Sequence, residues 1–215
     1  MIKRVVGLHF SPLGGTAKIT ERIARGIAAD LDRALAGDVA CECYDILGVL
    51  EKKPAFDEET IAVIGMPVYV GKIPLPAIKL LRQIEGNGAK TIALVSYGTP
   101  TYGNALYELY SFTEEMGFKV VGAGAFIARH NLNNLTRPDL RDVEAMEEFC
   151  RATANKLKRL TGSEIEGLKI KPAPLTIDGK MPVHRVSKIS PKAAAMAELA
   201  FERANMRRKE PEWFL

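Results

Sequence analysis

Apolar positions along this chain follow two alternating rhythms. Short apolar runs, IKRVVGLHF, VACECYDIL, TIAVIGM, TIALVSY and KVVGAGAFIA, have the length and β-branched content of strands. TIAVIGM and TIALVSY are continuous enough for strands covered on both faces. Between the runs the spacing lengthens. Ile19, Ile23, Ile27 and Leu31 recur four apart, one stripe of a helix that Gly37 is placed to end. PAIKLLRQI reads as a second helix and NALYELYSFTEEMG as a third, closed by Gly117. A last helix, near Arg137 to Leu160, repeats the three-or-four spacing through Val143, Met146, Cys150, Ala154 and Leu157. The polar stretch EKKPAFDEE reads as a connector before the third strand. Five strands with intervening crossovers predict an α/β fold, a parallel sheet with helices on both faces.

Beyond Leu160 this rhythm stops. TGSEIEGLKIKPAPLTIDGKMPVHRVSKIS is punctuated by Pro and Gly and predicts an extended arm over the surface. Pro191 to Arg208 resembles one more helix, with Met196, Leu199, Ala200 and Met206 available to dock on the same subunit or on a neighbour. The expected division is therefore a globular unit over 1–162 and an arm with a helix over 163–215.

Composition narrows the class. With 215 residues, 47% of them hydrophobic, the chain suits one compact domain with an appended tail. No apolar run approaches the roughly 20 residues of a membrane span, and the N-terminus is too short and too strand-like for a secretory signal, so a cytoplasmic protein without a membrane partner is expected. Cys41 and Cys43 share one face of a strand and Cys150 lies on a distant helix, which implies reduced thiols; without Cys-x-x-Cys loop spacing, no metal site is expected. The net charge is +4, and residues 163–215 hold ten basic and seven acidic groups. Glutamates are interleaved with those basic residues and no RNA-reading motif occurs, so nucleic acid is not an expected partner.

In an open parallel sheet, ligands bind beyond the carboxyl ends of the strands, where strand order reverses. Three loops leave such ends: Ser11 to Lys18, Pro67 to Pro74, and Ser96 to Asn104. In the first, Gly14 and Gly15 let the backbone turn its N–H groups inward, Ser11 and Thr16 supply hydroxyls, and the helix beginning near Thr16 adds its positive end. That suits a phosphate. It is neither a Walker A loop nor a G-x-G-x-x-G fingerprint, and read alone it serves equally as an ordinary strand-to-helix turn.

FSPLGGTAKITERIA resembles the phosphate-binding loop of the flavodoxin family, and most of all the FSPTG-type variant in the flavodoxin-like domains of flavodoxin and ferredoxin fusion proteins. Ser11, Gly14, Gly15 and Thr16 match that pattern; Leu13 replaces a hydroxyl residue and removes one expected phosphate donor. GMPVYVGKIP is similar to the second flavin loop of the same domains and VSYGTPTYGNAL to the third. The likeness covers residues 2 to 160, in order.

The resemblance implies a flavodoxin-like three-layer sandwich of strand order 2-1-3-4-5, with flavin mononucleotide (FMN) at the switch between the first and third strands, a case the general rule for such sheets names. It implies a cofactor site made of Ser11, Pro12, Leu13, Gly14, Gly15, Thr16 and Ala17 in the first loop, Pro67, Val68, Tyr69, Val70, Gly71 and Lys72 in the second, and Ser96, Tyr97, Gly98, Tyr102 and Gly103 in the third. Tyr69 and Tyr97 are the expected stacking partners of the flat ring, the alternative being tyrosines that merely cap the sheet. Gly71 and Gly98 would allow close backbone approach, and Gly71 is the match to the glycine-containing peptide that responds to flavin reduction in flavodoxins. At the end of the fifth strand, Arg129, His130 and Asn131 fall near the same rim, with His130 a candidate proton donor and an exposed loop histidine the alternative. His9 reads as a packed core side chain. Lys18 and Lys72 border the loops, as solvated lysines or as attractors of an anionic substrate or a nicotinamide phosphate.

The implied function is that of an FMN-binding redox protein or oxidoreductase, with a redox partner protein, a small electron acceptor or NAD(P)H as partner and a homodimer through the C-terminal arm as one possible assembly. The fusion-type relatives continue into a ferredoxin module whose cysteine motif is missing here, and the slightly basic charge departs from the acidic electron-carrying flavodoxins. The alternative is a flavodoxin-fold binding module that has lost or weakened cofactor binding. A receiver domain would need an acidic cluster where His9 and Phe10 stand.

Overall fold

The computed structural model describes residues 2–35, 37–98, 101–129, 136–159 and 211–215. Six strands form one sheet: β1 (Arg4–His9), β2 (Ala40–Asp45), β3 (Thr60–Pro67), β4 (Lys90–Tyr97), β5 (Lys119–Ile127) and β6 (Glu212–Phe214). Their order is β2-β1-β3-β4-β5-β6, parallel for the first five and antiparallel at β6. Every residue of β3 is buried, as a central parallel strand requires.

Five helices cover the two faces: α1 (Gly15–Leu35), α2 (Ile46–Lys52), α3 (Leu75–Leu81), α4 (Ala105–Glu115) and α5 (Leu140–Arg159). The stripe Ile19, Ile23, Ile27 and Leu31 of α1 packs with Met146, Phe149, Cys150 and Leu157 of α5 on one side of the sheet. On the other side Ile46 and Val49 of α2, Ala77 and Leu81 of α3, and Leu106 and Leu109 of α4 meet the second set of strand side chains. Among the described residues, no helix is long and apolar enough to cross a membrane.

Three boundaries differ from the sequence pattern, each for a local reason. The run VACECYDIL stays extended only to Asp45, whose carboxylate accepts the Gly48 amide at 2.6 Å and caps α2, turning Ile46 and Leu47 into helix. The final helix starts at Leu140, not Arg137. Asp139 Oδ1 accepts from the amides of Arg141 and Asp142 while Asp142 Oδ2 accepts from the Asp139 amide, a reciprocal cap at the helix start. Arg137 instead lies ahead of Pro138 and places its guanidinium on the buried carboxylate of Asp142.

The third difference is β6. The sheet has one strand more than the pattern predicts, because the end of the chain returns to pair with β5, Glu212 opposite Ala125 and Trp213 opposite Gly124. Trp213 packs its ring 5.8 Å from that of Phe149 on α5. The helix expected over Pro191 to Arg208 lies outside the described residues.

Candidate functional site

The chain leaves β1 for α1 on one face of the sheet and leaves β3 for α3 on the other, while β1 and β3 are neighbours. The loops after these two strands therefore diverge and leave a crevice at their carboxyl ends.

Ser96, the penultimate residue of β4, ties the three loops together. Its hydroxyl shares a buried 2.7 Å hydrogen bond with Thr16 Oγ1 at the start of α1, and its carbonyl accepts the Val68 amide at 2.9 Å. The second and third loops are joined again further out, where Gly71 O accepts the Asn104 amide at 3.0 Å and the Glu108 carboxylate accepts the Ile73 amide at 3.0 Å. Gly71 and Gly103 lie back to back: a Cβ on Gly103 would stand 2.7 Å from the Gly71 carbonyl oxygen. The second loop itself is a tight turn in which Tyr69 and Lys72 exchange both backbone hydrogen bonds, at 2.9 and 3.2 Å. Its central residues Val70 and Gly71 both have positive φ, +54° and +74°, as in a type I′ turn.

The first loop turns at Gly14, whose φ is +77° and whose amide donates to Ser11 O at 3.1 Å. Ser11 Oγ accepts the Ala17 amide at 2.9 Å and keeps its own proton free to donate. The amides of Gly15 and Thr16 open α1 and have no carbonyl one turn earlier within the helix to bond. Thr16 and Ser96 spend one hydroxyl proton on each other and retain one. No acidic side chain stands in the first turn of α1. This donor set, all of one polarity at the positive end of a 21-residue helix, fits a phosphate dianion. Leu13 is 77% exposed and adds only backbone to it.

Among the tyrosines of the second and third loops, Tyr97 is the most buried. It is 4% exposed and sits within the core, where its ring meets Tyr102 edge-on at 5.4 Å. Tyr69, at 46% exposure, and the half-buried Tyr102 are the tyrosines left at the rim. The Tyr102 hydroxyl donates to Glu212 Oε2 at 2.6 Å; burial first, and then this carboxylate, push its pKa well above the ordinary phenol range.

The other sequence candidates divide. Pro67, Val68 and Gly98 are buried at the floor of the loops, whereas Pro12, Lys18, Lys72 and Arg129 are exposed. His9 is buried, with Nε2 3.2 Å from Glu21 Oε1. His130 and Asn131 lie outside the described residues. Two contributors were not singled out from sequence. Asn104 Oδ1 is buried in the loop cluster with no hydrogen-bond partner among the described residues, a group that a ligand can satisfy. Glu212 arrives from the chain end, and nothing in PEWF signals it; the Asn at the start of a helical pattern was a visible cue for Asn104.

No family model matches the sequence, and no curated protein matches it. Solved structures do. A flavodoxin from the domain Archaea is 22% identical over 73% of this chain and 99% of its own, with a TM-score of 0.52. An oxidoreductase from Corynebacterium diphtheriae is 12% identical over 74% of this chain and 99% of its own, also at 0.52. The fold is flavodoxin-like, of order 2-1-3-4-5 with an added C-terminal strand. At this identity the likeness speaks for the fold; the chemistry rests on the residues.

Proposed function

We propose that the chain binds FMN across the three loops and acts as a redox protein or oxidoreductase. The observation that carries this reading is the Ser96 node, which draws a phosphate-type helix start, a glycine turn and a tyrosine-bearing loop into one floor at the strand-order switch. Residues similar to the flavin loops of fusion-type flavodoxin domains stand at all three positions.

Ser11, Gly15 and Thr16 hold the phosphate through one hydroxyl and two amides, with Gly14 providing the turn. Tyr69 and Tyr102 supply the aromatic surfaces for a flat ring, and Tyr97 supports Tyr102 from beneath. Gly71 and Gly98 let backbone groups reach the ring's polar edge, and Asn104 Oδ1 offers an acceptor. A bound flavin would supply both one-electron and two-electron chemistry. Exposed Lys18 and Lys72 put positive charge at the border, which favours an anionic acceptor, an acidic partner protein or NAD(P)H.

Titration of the purified protein with FMN tests the proposal. Quenching of flavin fluorescence at a 1:1 stoichiometry, weakened by Ser11→Ala, is the expected result; no quenching and no heat of binding would leave the cofactor-free module as the reading. Anaerobic NADH or NADPH then separates a reductase, which bleaches its flavin directly, from an electron shuttle, which does not.

A further inference from the structure

β6 lies outside the likeness to flavodoxin domains over residues 2 to 160, yet it reaches the candidate site. It pairs antiparallel with β5, Phe214 opposite Ala123 and Glu212 opposite Ala125. Gly122 of β5 leaves the room for it: a Cβ there would stand 2.9 Å from Leu215 Cδ2. Trp213 and Leu215 both pack against the apolar cluster under α1 and α5, and the Trp213 ring lies 5.8 Å from that of Phe149. Alternation along the strand sends Glu212 to the opposite face, the α4 side, against which Tyr102 packs. The apolar side chains thus anchor β6 and the acidic one is turned toward the third loop.

Tyr102 is held at three points. Its carbonyl accepts the Ala105 amide at 3.1 Å, which fixes the root of the side chain where the loop enters α4. Tyr97 meets its ring edge-on at 5.4 Å. The hydroxyl donates to Glu212 Oε2 at 2.6 Å, a short bond to an ionised acceptor, and this is the contact that reaches the far end of the ring. The first two contacts come from the third loop and from the strand that leads into it. The third crosses 110 positions of sequence from a strand with no other part in the site.

We propose that Glu212 is a positioning residue of the flavin site: its bond to Tyr102 sets the plane of the ring offered to FMN, so that cofactor binding and the docking of β6 strengthen each other. This rests on the FMN reading above and adds to it a part of the site that comes from β6. Glu212 acts through Tyr102 and not on the cofactor. A ring already held at both ends loses less freedom when a flat ligand stacks on it, and the saving appears as affinity. Linkage makes the effect reciprocal, because whatever Glu212 contributes to FMN binding, bound FMN returns to the docking of β6.

The experiment is a fluorescence titration of the full-length protein with FMN, in the wild type, Glu212→Ala, Glu212→Gln, Tyr102→Phe and the Tyr102→Phe/Glu212→Ala pair, each checked for an unchanged circular dichroism spectrum. Glu212→Ala and Tyr102→Phe are each expected to weaken binding by about fivefold, the loss of one positioning hydrogen bond, and the pair by no more than either alone. Glu212→Gln retains a carbonyl acceptor and is expected to stay within about twofold of wild type. Hydrogen exchange gives the reverse reading: FMN slows exchange at the amides of Glu212, Trp213 and Phe214 in the wild type and not in Tyr102→Phe. A wild-type protein that fails to bind FMN removes the functional reading and this inference together. Wild-type binding overturns the inference alone if Glu212→Ala keeps full affinity, if Glu212→Ala costs as much in the Tyr102→Phe background as without it, if Glu212→Gln is as weak as Glu212→Ala, or if FMN leaves β6 exchange unchanged.

Discussion

Tyr102 donates a 2.6 Å hydrogen bond to Glu212 across 110 positions of sequence. It joins the third loop of the candidate site to the last strand of the sheet, so the end of the chain bears on the ring that Tyr102 presents. Because burial and the carboxylate raise the folded-state pKa of this phenol above its unfolded value of about 10, the contact's contribution is complete below about pH 10 and is lost as pH rises through the folded value. In a titration followed at 295 nm, Tyr102→Phe removes one late-ionising tyrosine, and Glu212→Gln moves that tyrosine toward the ordinary value. A Glu212→Gln titration identical to wild type would show that the carboxylate does not act on Tyr102.

Trp213 is the single tryptophan, which makes it a direct reporter of β6. Its contact with Phe149 buries aromatic surface, and Trp213→Ala is expected to destabilise the fold by about 2 kcal/mol in urea unfolding. Removing Pro211 to Leu215 uncovers β5, an apolar strand with one hydrogen-bonding edge then unpaired. Concentration-dependent self-association in sedimentation is the expected outcome. A truncated protein that stays monomeric with wild-type stability would contradict this role.

Two glycines of the site should respond unequally to alanine. At Gly14 a Cβ meets open space, so Gly14→Ala costs only the left-handed backbone, about 1 kcal/mol. At Gly103 the φ of +55° is compounded by backbone contact with Gly71, and the second and third loops must part. Flavin affinity is expected to fall by about tenfold or more in Gly103→Ala, read by fluorescence titration. Equal effects of the two substitutions on stability would show that the Gly71 contact carries no energy.

Val70 holds a β-branched side chain at φ +54°, 64% exposed. Nothing in its burial offsets the conformational cost, so Val70→Asn is expected to stabilise the protein by about 1 kcal/mol in chemical denaturation, since Asn tolerates this region. A loss of stability would mean that the valine side chain makes a contribution larger than its strain.

Asp142 is fully buried beneath Arg137 and also closes the cap of α5. Asp142→Asn takes the nearer carboxylate from the buried guanidinium, leaving Asp139 Oδ2 at 3.8 Å, and is expected to cost about 3 kcal/mol. Thermal unfolding checks the prediction. Pairing that change with Arg137→Met is expected to recover part of the loss.

The layers of this fold were legible residue by residue. Ile19, Ile23, Ile27 and Leu31 specify the buried face of α1 because helix periodicity is a property of neighbours four apart. The loop beginning at Ser11 was readable for the same reason, since glycine turns and helix starts are written within a few positions. The α2 helix escaped because its cap, Asp45, stands inside what scans as a continuous strand.

Local pattern thus determined the five parallel strands, the helices that flank them apart from α2, and the three loops that face the crevice. Tertiary structure alone decided that Ser96 joins those loops, that Tyr97 turns into the core while Tyr102 stays at the rim, and that a strand from the chain end brings Glu212 to meet it. The physical reason is range. Periodicity and turn chemistry act over a few residues, whereas burial and cross-chain hydrogen bonds depend on which strands become neighbours, and no short window contains both partners.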